Sequence, residues 1–294
     1  MNVIYTSQLL CYAKNARYLQ PAVRLMATAS PASTGGTKFT TVEVNEKTGV
    51  ATLTMNRPPV NGLNLELLRD IHESIDEIES NKSRGLILTS SSNTIFSAGL
   101  DILEMYKPDQ ERLKNFWTAL QDTWLALFGS SVPTAAAING HSPAGGCLLA
   151  TSCEYRVMLP NFTIGLNETK LGIVAPQFFM SAFLNVLPTR TAEMALTQGK
   201  MFTTEEALSA GLIDEVANNK EEALAKCEQF IGTFAKVNPF ARAMTKQQFR
   251  TKGLQQLEEQ REQDLQSFLF FVNQPSVQKG LGYYLDSLKQ KSKK

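Results

Sequence analysis

The sequence carries almost no net charge. Its 29 Lys and Arg face 28 Asp and Glu, leaving +1 over 294 residues. Nothing in that balance favours nucleic acid as a partner. Long hydrophobic runs are also missing. The greasiest stretch, Phe268-Leu269-Phe270-Phe271-Val272, is far short of the roughly 18–20 residues of a membrane helix, so stable membrane insertion is not expected. Cysteine is scarce: Cys11, Cys147, Cys153 and Cys227 form no C-x-x-C pair and no metal-ligand spacing. Free thiols in a reducing compartment and no bound metal are the expectation. Acidic residues are absent before Glu43, whereas Lys14, Arg17, Arg24 and Lys38 are basic and Ser, Thr and Ala are frequent. Residues 1–37 therefore read as a mitochondrial transit peptide, cut between Met26 and Thr37.

What is present is a rhythm of strand, loop and helix, in a chain long enough for a substantial core. Phe39–Val44 and Val50–Met55 alternate around Glu46-Lys47-Thr48-Gly49, which predicts a hairpin. Leu67, Leu68, Ile71, Ile75 and Ile78 share a helical face, with Asn64 as N-cap. Gly85–Thr89, Val132–Ile138 and Tyr155–Met158 read as strands covered on both faces. Leu113 to Phe128 marks a second helix ending at Gly129, and Gly145–Ala150 the start of another. Thr203 and Glu206 form a capping box. From Glu221 the pattern is helical, broken at Asn238-Pro239 and Asn273-Gln274-Pro275. The alternation argues an α/β fold with a helical C-terminal part from about Asn218.

Two glycine-containing loops follow predicted strands, Phe96-Ser97-Ala98-Gly99-Leu100-Asp101-Ile102 and Asn139 to Cys147. Both should leave the same edge of the sheet. The backbone N–H groups of Ala98 and Gly145 can then converge on one carbonyl oxygen, with the positive end of a helix behind Gly145. Taken singly, each loop reads more readily as an ordinary glycine turn. Glu168 lies among Ile164, Leu166, Leu171 and Ile173; an apolar pocket there raises its pKa and makes it a better base. The alternative is a surface glutamate paired with Lys170. Glu154 and Arg156 are expected to pair with each other, Asp101 to shape its loop, His141 to be a loop residue, and Trp117 and Trp124 to line the core or an acyl pocket. Gly280-Leu281-Gly282 lacks the strand context of a dinucleotide fingerprint.

As a set, Phe96–Asp101, Gly145-Gly146-Cys147 and Glu168 resemble the crotonase (enoyl-CoA hydratase/isomerase) superfamily. Asn56-Arg57-Pro58, Cys153–Arg156, Pro188–Glu193 and Phe202–Ala207 followed by Gly211–Asp214 extend the resemblance across roughly residues 39–290. Ile164 to Ile173 is similar to the isomerase branch. The resemblance implies a crotonase (ClpP-like) β-β-α spiral core over 38–217 and a C-terminal helical trimerisation region over 218–294. It implies an acyl-CoA substrate bound by Ala98, Gly99, Leu100, Asp101, Ile102, Gly145 and Asn167. Glu168 would act as the base and the amides of Ala98 and Gly145 as catalytic donors. Coenzyme A would be part of the substrate, with no other cofactor. A homotrimer in the mitochondrial matrix is the implied assembly and place. Family hydratases carry a second glutamate after the cysteine of the second loop; here that residue is Leu148. Leucine cannot hold or activate water. The implied activity is therefore transfer of the double bond of a 3-cis- or 3-trans-enoyl-CoA to the 2-trans position in β-oxidation of unsaturated fatty acids. Hydration, thioester hydrolysis and a non-catalytic acyl-CoA-binding scaffold are the alternatives.

Overall fold

Residues 38–291 are described by the computed structural model. Residues 1–37, where the transit peptide is expected, and residues 292–294 lie outside the described residues. Alternating residues give the expected hairpin: β1 (Thr40–Val44) runs antiparallel to β2 (Val50–Met55), turning at Gly49 with φ +73°. The chain then crosses in parallel through β3 (Gly85–Ser90), β4 (Thr134–Ile138), β6 (Tyr155–Met158) and β9 (Glu215–Val216), completing a sheet ordered β1-β2-β3-β4-β6-β9. Every residue of β3 and β4 is buried, as covered parallel strands require.

Helix α1 (Leu65–Ser80) starts where the Asn64 side chain accepts from Leu67 N–H, and it turns Leu67, Leu68, Ile71, Ile75 and Ile78 inward. Helix α2 (Gln110–Gly129) packs beside it. The other face of the sheet is covered by α7 (Lys220–Gly232), whose Ala223, Cys227 and Ile231 meet Val50, Ile87, Ala135 and Val157. A second, small sheet joins β5 (Ser142–Pro143), β7 (Thr163–Gly165) and β8 (Phe202–Thr203). Together these elements form a mixed α/β fold, followed by a helical C-terminal part.

That part is anchored by buried charge. Helix α8 (Pro239–Val272) brings Arg242 and Lys246 onto Glu154, the Lys246 ammonium at 3.0 Å. Arg250 donates to the carbonyls of Phe128 (2.8 Å) and Ser152 (2.7 Å). Glu154 and Arg156 thus do not pair with each other. Arg156 instead meets Asp214 at 2.7 Å, because the tertiary fold brings a separate partner to each.

The last helix, α9 (Pro275–Lys291), reaches back onto the segment from Met105 to Lys107. The Gln278 carboxamide accepts from Lys107 N–H (2.9 Å) and donates to Met105 O (2.9 Å). A Cβ on Gly282 would stand 3.2 Å from the Tyr106 ring, so the glycine permits close approach.

Candidate active site

The ends of adjacent parallel strands β3 and β4 launch both glycine loops from one edge of the sheet. The first runs through Ala98, Gly99, Leu100 and Asp101 into a 3-10 turn, Ile102–Glu104. The second ends at helix α3 (Gly145–Ser152). They abut at glycine. Gly99, at φ +84°, has so little room that a Cβ would sit 2.8 Å from the Ala144 methyl and 3.0 Å from Gly145 N. A Cβ on Gly145 would lie 3.3 Å from Leu100 N. Two amides, those of Leu100 and Gly145, therefore come close together.

Their hydrogen bonding decides which can act as donors. Ala98 N–H is committed to Val60 O at 3.0 Å. The expectation that Ala98 supplies one of the two free amides is thus corrected: a buttressing carbonyl occupies it. Among the described residues, neither Leu100 N–H nor Gly145 N–H has a backbone or side-chain acceptor. Gly145 opens α3, where a first-turn N–H has no intrahelical partner and the helix dipole favours negative charge. Just before it, Ala144 holds φ +49° and ψ −121°, an unusual conformation for a residue with a Cβ.

Glu168 follows β7 and opens a 3-10 turn, Glu168–Leu171, closed by Gly172 at φ +72°. The residue is 6% exposed, and neither carboxylate oxygen has a hydrogen-bond partner among the described residues. Leu148, Ile164 and Leu166 are buried, and Lys170 is exposed. Burial raises the Glu168 pKa to about 7, against a small opposing pull from its own backbone N–H. Its neighbour Cys147 is fully buried. Burial and then the Glu168 charge push that thiol well above its ordinary range, so it behaves as an apolar filler. The Asn167 Oδ1 and Ser142 Oγ atoms are likewise buried without partners. Such atoms are few in folded proteins.

Other residues singled out in the sequence have local roles. Asp101 Oδ1 accepts Leu103 N–H at 3.0 Å and its Oδ2 meets Arg57 at 2.9 Å. His141 Nδ1 accepts Thr163 N–H at 3.1 Å, binding its loop to β7. Trp124 is a core residue stacked on Phe128. Trp117 stacks on Phe268 and, with Ile173, Phe178, Leu257 and Val272, lines an apolar cavity of about 280 Å³. Glu168 is not in its lining, yet Ile173 N–H donates to Glu168 O at 3.1 Å, so the two are joined through the backbone. No group of three or more metal-ligating side chains occurs among the described residues.

Residues 45–294 match the enoyl-CoA hydratase/isomerase family model. The chain is 44% identical over 253 residues to mitochondrial enoyl-CoA delta isomerase 1 of Mus musculus, covering 85% of this chain and 87% of that protein. Against the protein of the same name from Homo sapiens it is 39% identical over 258 residues, covering 87% and 85% respectively. The crystal structure of human mitochondrial delta3-delta2-enoyl-CoA isomerase superposes with a TM-score of 0.83 at 39% identity, covering 86% of this chain and 99% of that one. The enoyl-CoA hydratase structure from Bacillus halodurans gives 0.74 at 26% identity, over 83% and 99%.

Proposed function

The chain belongs to the enoyl-CoA hydratase/isomerase family, and from that premise we propose that it is an enoyl-CoA isomerase working with one acid. Its substrate is a 3-cis- or 3-trans-enoyl-CoA and its product the 2-trans-enoyl-CoA. The observation that carries the reading is Glu168: buried, unpartnered, and with a pKa near 7. A carboxylate in that state takes a proton near neutrality and gives it back.

Glu168 removes a proton from C2. The electron pair moves toward the thioester, and the resulting dienolate carries its charge on the thioester oxygen. The amides of Leu100 and Gly145 donate to that oxygen, where each donor of this kind contributes about 10²–10³ in rate. Protonated Glu168 then returns the proton at C4, leaving the double bond between C2 and C3. Substrate and product are isomers and the glutamate ends as it began. The cycle therefore consumes no oxidant, reductant or water, and coenzyme A enters only as part of the substrate. Leu148, buried where hydratases of the family carry their second glutamate, offers no group to position water. The cavity beside Trp117 suits the apolar end of the acyl chain.

The assembly we propose is a homotrimer in the mitochondrial matrix. Large exposed apolar residues spread along α8, Phe240, Phe249 and Phe270, support self-association, Phe249 being 84% exposed. The relatives' mitochondrial names and the leader-like composition of residues 1–37 support the compartment. Light scattering on the purified chain reads the first of these.

The test of function is turnover of 3-hexenoyl-CoA by the wild type and by Glu168→Gln, alongside hydration of 2-hexenoyl-CoA. Isomerisation that depends on Glu168, with hydration far slower, is the expected result. Comparable hydration defeats the isomerase reading, and unimpaired Glu168→Gln defeats the mechanism.

A further inference from the structure

The direction of the Leu100 amide is fixed from the carbonyl side of the same peptide. A trans peptide is planar, with its C=O and N–H pointing in opposite directions. Gly99 O accepts Leu63 N–H at 2.8 Å, so Leu100 N–H must face away from Leu63. On the far side, Asp101 N–H donates to Leu63 O at 3.0 Å. Leu63 therefore grips the peptide before Leu100 and the one after it.

Arg57 braces that grip. Its Nη1 donates to Gly62 O at 2.8 Å, the carbonyl just before Leu63. Its Nη2 meets Asp101 Oδ2 at 2.9 Å, the side chain just after Leu100. The other Asp101 oxygen accepts Leu103 N–H at 3.0 Å. A planar guanidinium can hold both groups at once, which a lysine ammonium does far less rigidly. The two side chains are 23% and 15% exposed, so water weakens this pair less than an ordinary surface bridge. Both Asp101 oxygens are thus engaged within the loop.

We propose that Arg57 and Asp101 are positioning residues, whose ion pair aims the Leu100 amide at the developing oxyanion and so sets kcat rather than substrate affinity. This rests on the isomerase reading above. An amide displaced by about an ångström loses much of its contribution in the transition state, a misplacement that can cost on the order of 10²-fold. The ground-state thioester, less charged, gains less from the same amide and loses less.

The experiment uses the full chain as wild type, Arg57→Lys, Arg57→Gln and Asp101→Asn. Arg190→Gln, which breaks the exposed Arg190–Glu193 pair, is the control. Four quantities are read: kcat and KM for 3-hexenoyl-CoA, the pH at which kcat/KM falls, and the thioester carbonyl stretch of bound 2-hexenoyl-CoA. Arg57→Gln and Asp101→Asn should lower kcat about 10- to 10²-fold at unchanged KM. Arg57→Lys should fall between them and the wild type. The carbonyl stretch should move toward its value in free solution, because a misaimed donor polarises it less. The pH limb, which reports Glu168, should not move. Should Arg57→Gln fail to fold, the near-isosteric Asp101→Asn carries the test.

A rise in KM at constant kcat overturns the proposal, since it assigns the pair to binding. So does a loss of kcat with the wild-type carbonyl stretch, which removes the amide from the explanation. Variants with normal kcat and a normal stretch overturn it as well. A wild type inert toward 3-hexenoyl-CoA defeats the isomerase reading alone, because the stretch of the bound thioester still reports whether the pair aims the amide.

Discussion

Two glutamates of the same domain, the half-buried Glu154 and the buried Glu168, face opposite fates. Burial pushes Glu154 upward, but Lys246, Arg242 and Arg250 outweigh it and hold the carboxyl below its ordinary value. Glu168 has burial without a cation, and rises to about 7. Glu154 stands at the start of β6, bonded also to Thr134 N–H at 3.0 Å. It ties the long helix α8 to the sheet. Glu168 stands near the loops that leave the strand ends, with both oxygens unpartnered. Burial sets the size of the desolvation cost, and the partners decide whether the group becomes a structural tie or a reactive acid. Lys246 shows the other side of the first arrangement: burial lowers it to about 8, although Glu154 pulls it the other way.

Exchanging the roles of these two groups should break the contrast, beginning with the largest effect. Glu168→Gln keeps the shape but cannot carry the proton, and kcat should fall by about 10⁴-fold, near the upper range for general acid–base catalysis. In the wild type, kcat/KM should decline as pH falls through about 7. A stopped assay over a pH series checks both. Glu154→Gln should do the reverse. It strands buried cations and costs about 3–5 kcal/mol of stability, read by urea unfolding, while each folded molecule keeps its kcat.

A smaller effect separates the pair by pH. The Glu168 pKa is raised from 4.5 to about 7 on folding, so the folded state favours the protonated acid. Its stability penalty is absent below 4.5, develops as pH rises, and is complete above about 7. Glu168→Gln should then be more stable than wild type by about 3 kcal/mol at about pH 8, with that part of the gain vanishing in acid. Glu154, with its pKa depressed, runs the other way: its contribution is present above 4.5 and is lost as pH falls. The smallest change is Ala144→Gly. It relieves the positive φ of Ala144, stabilising the protein by about 1 kcal/mol in thermal unfolding. Turnover should drop by less than the about 10²-fold cost of losing a donor, since a freer backbone aims Gly145 N–H less well.

Much of this molecule is legible in its sequence, for identifiable reasons. The hairpin, the Asn64 cap of α1, the breaks before α8 and α9 and the capping box at Thr203 all arise from local periodicity or side-chain caps. The small sheet was not legible, because β5 and β8 are two residues each and β7 three, too short for any alternation. Helix α4 (Gln177–Leu184) is apolar around most of its circumference and offers no amphipathic stripe. At the site, the order of the glycine loops and Glu168 brought out Gly145 and the acid. Which amide of the first loop is free did not follow from composition, since the answer depends on Val60 O and Leu63, brought in from another segment. The partners of Glu154 and Arg156 are hidden from the sequence for the same reason: they are not the chain neighbours but Arg242, Lys246 and Asp214, brought in from distant segments.

The seat of α9 has a consequence for how the protein is made. Gln278 secures Met105 and Lys107, directly after the turn that ends the first glycine loop, and Gly282 rests on Tyr106 between them. A chain still growing toward its end can already hold every group assigned to the chemistry, yet this fastening arrives only with its final helix. Truncation before Gln274 should accordingly leave a protein whose sheet is intact and whose first glycine loop is loose, a fault visible as faster amide exchange at residues 98–107.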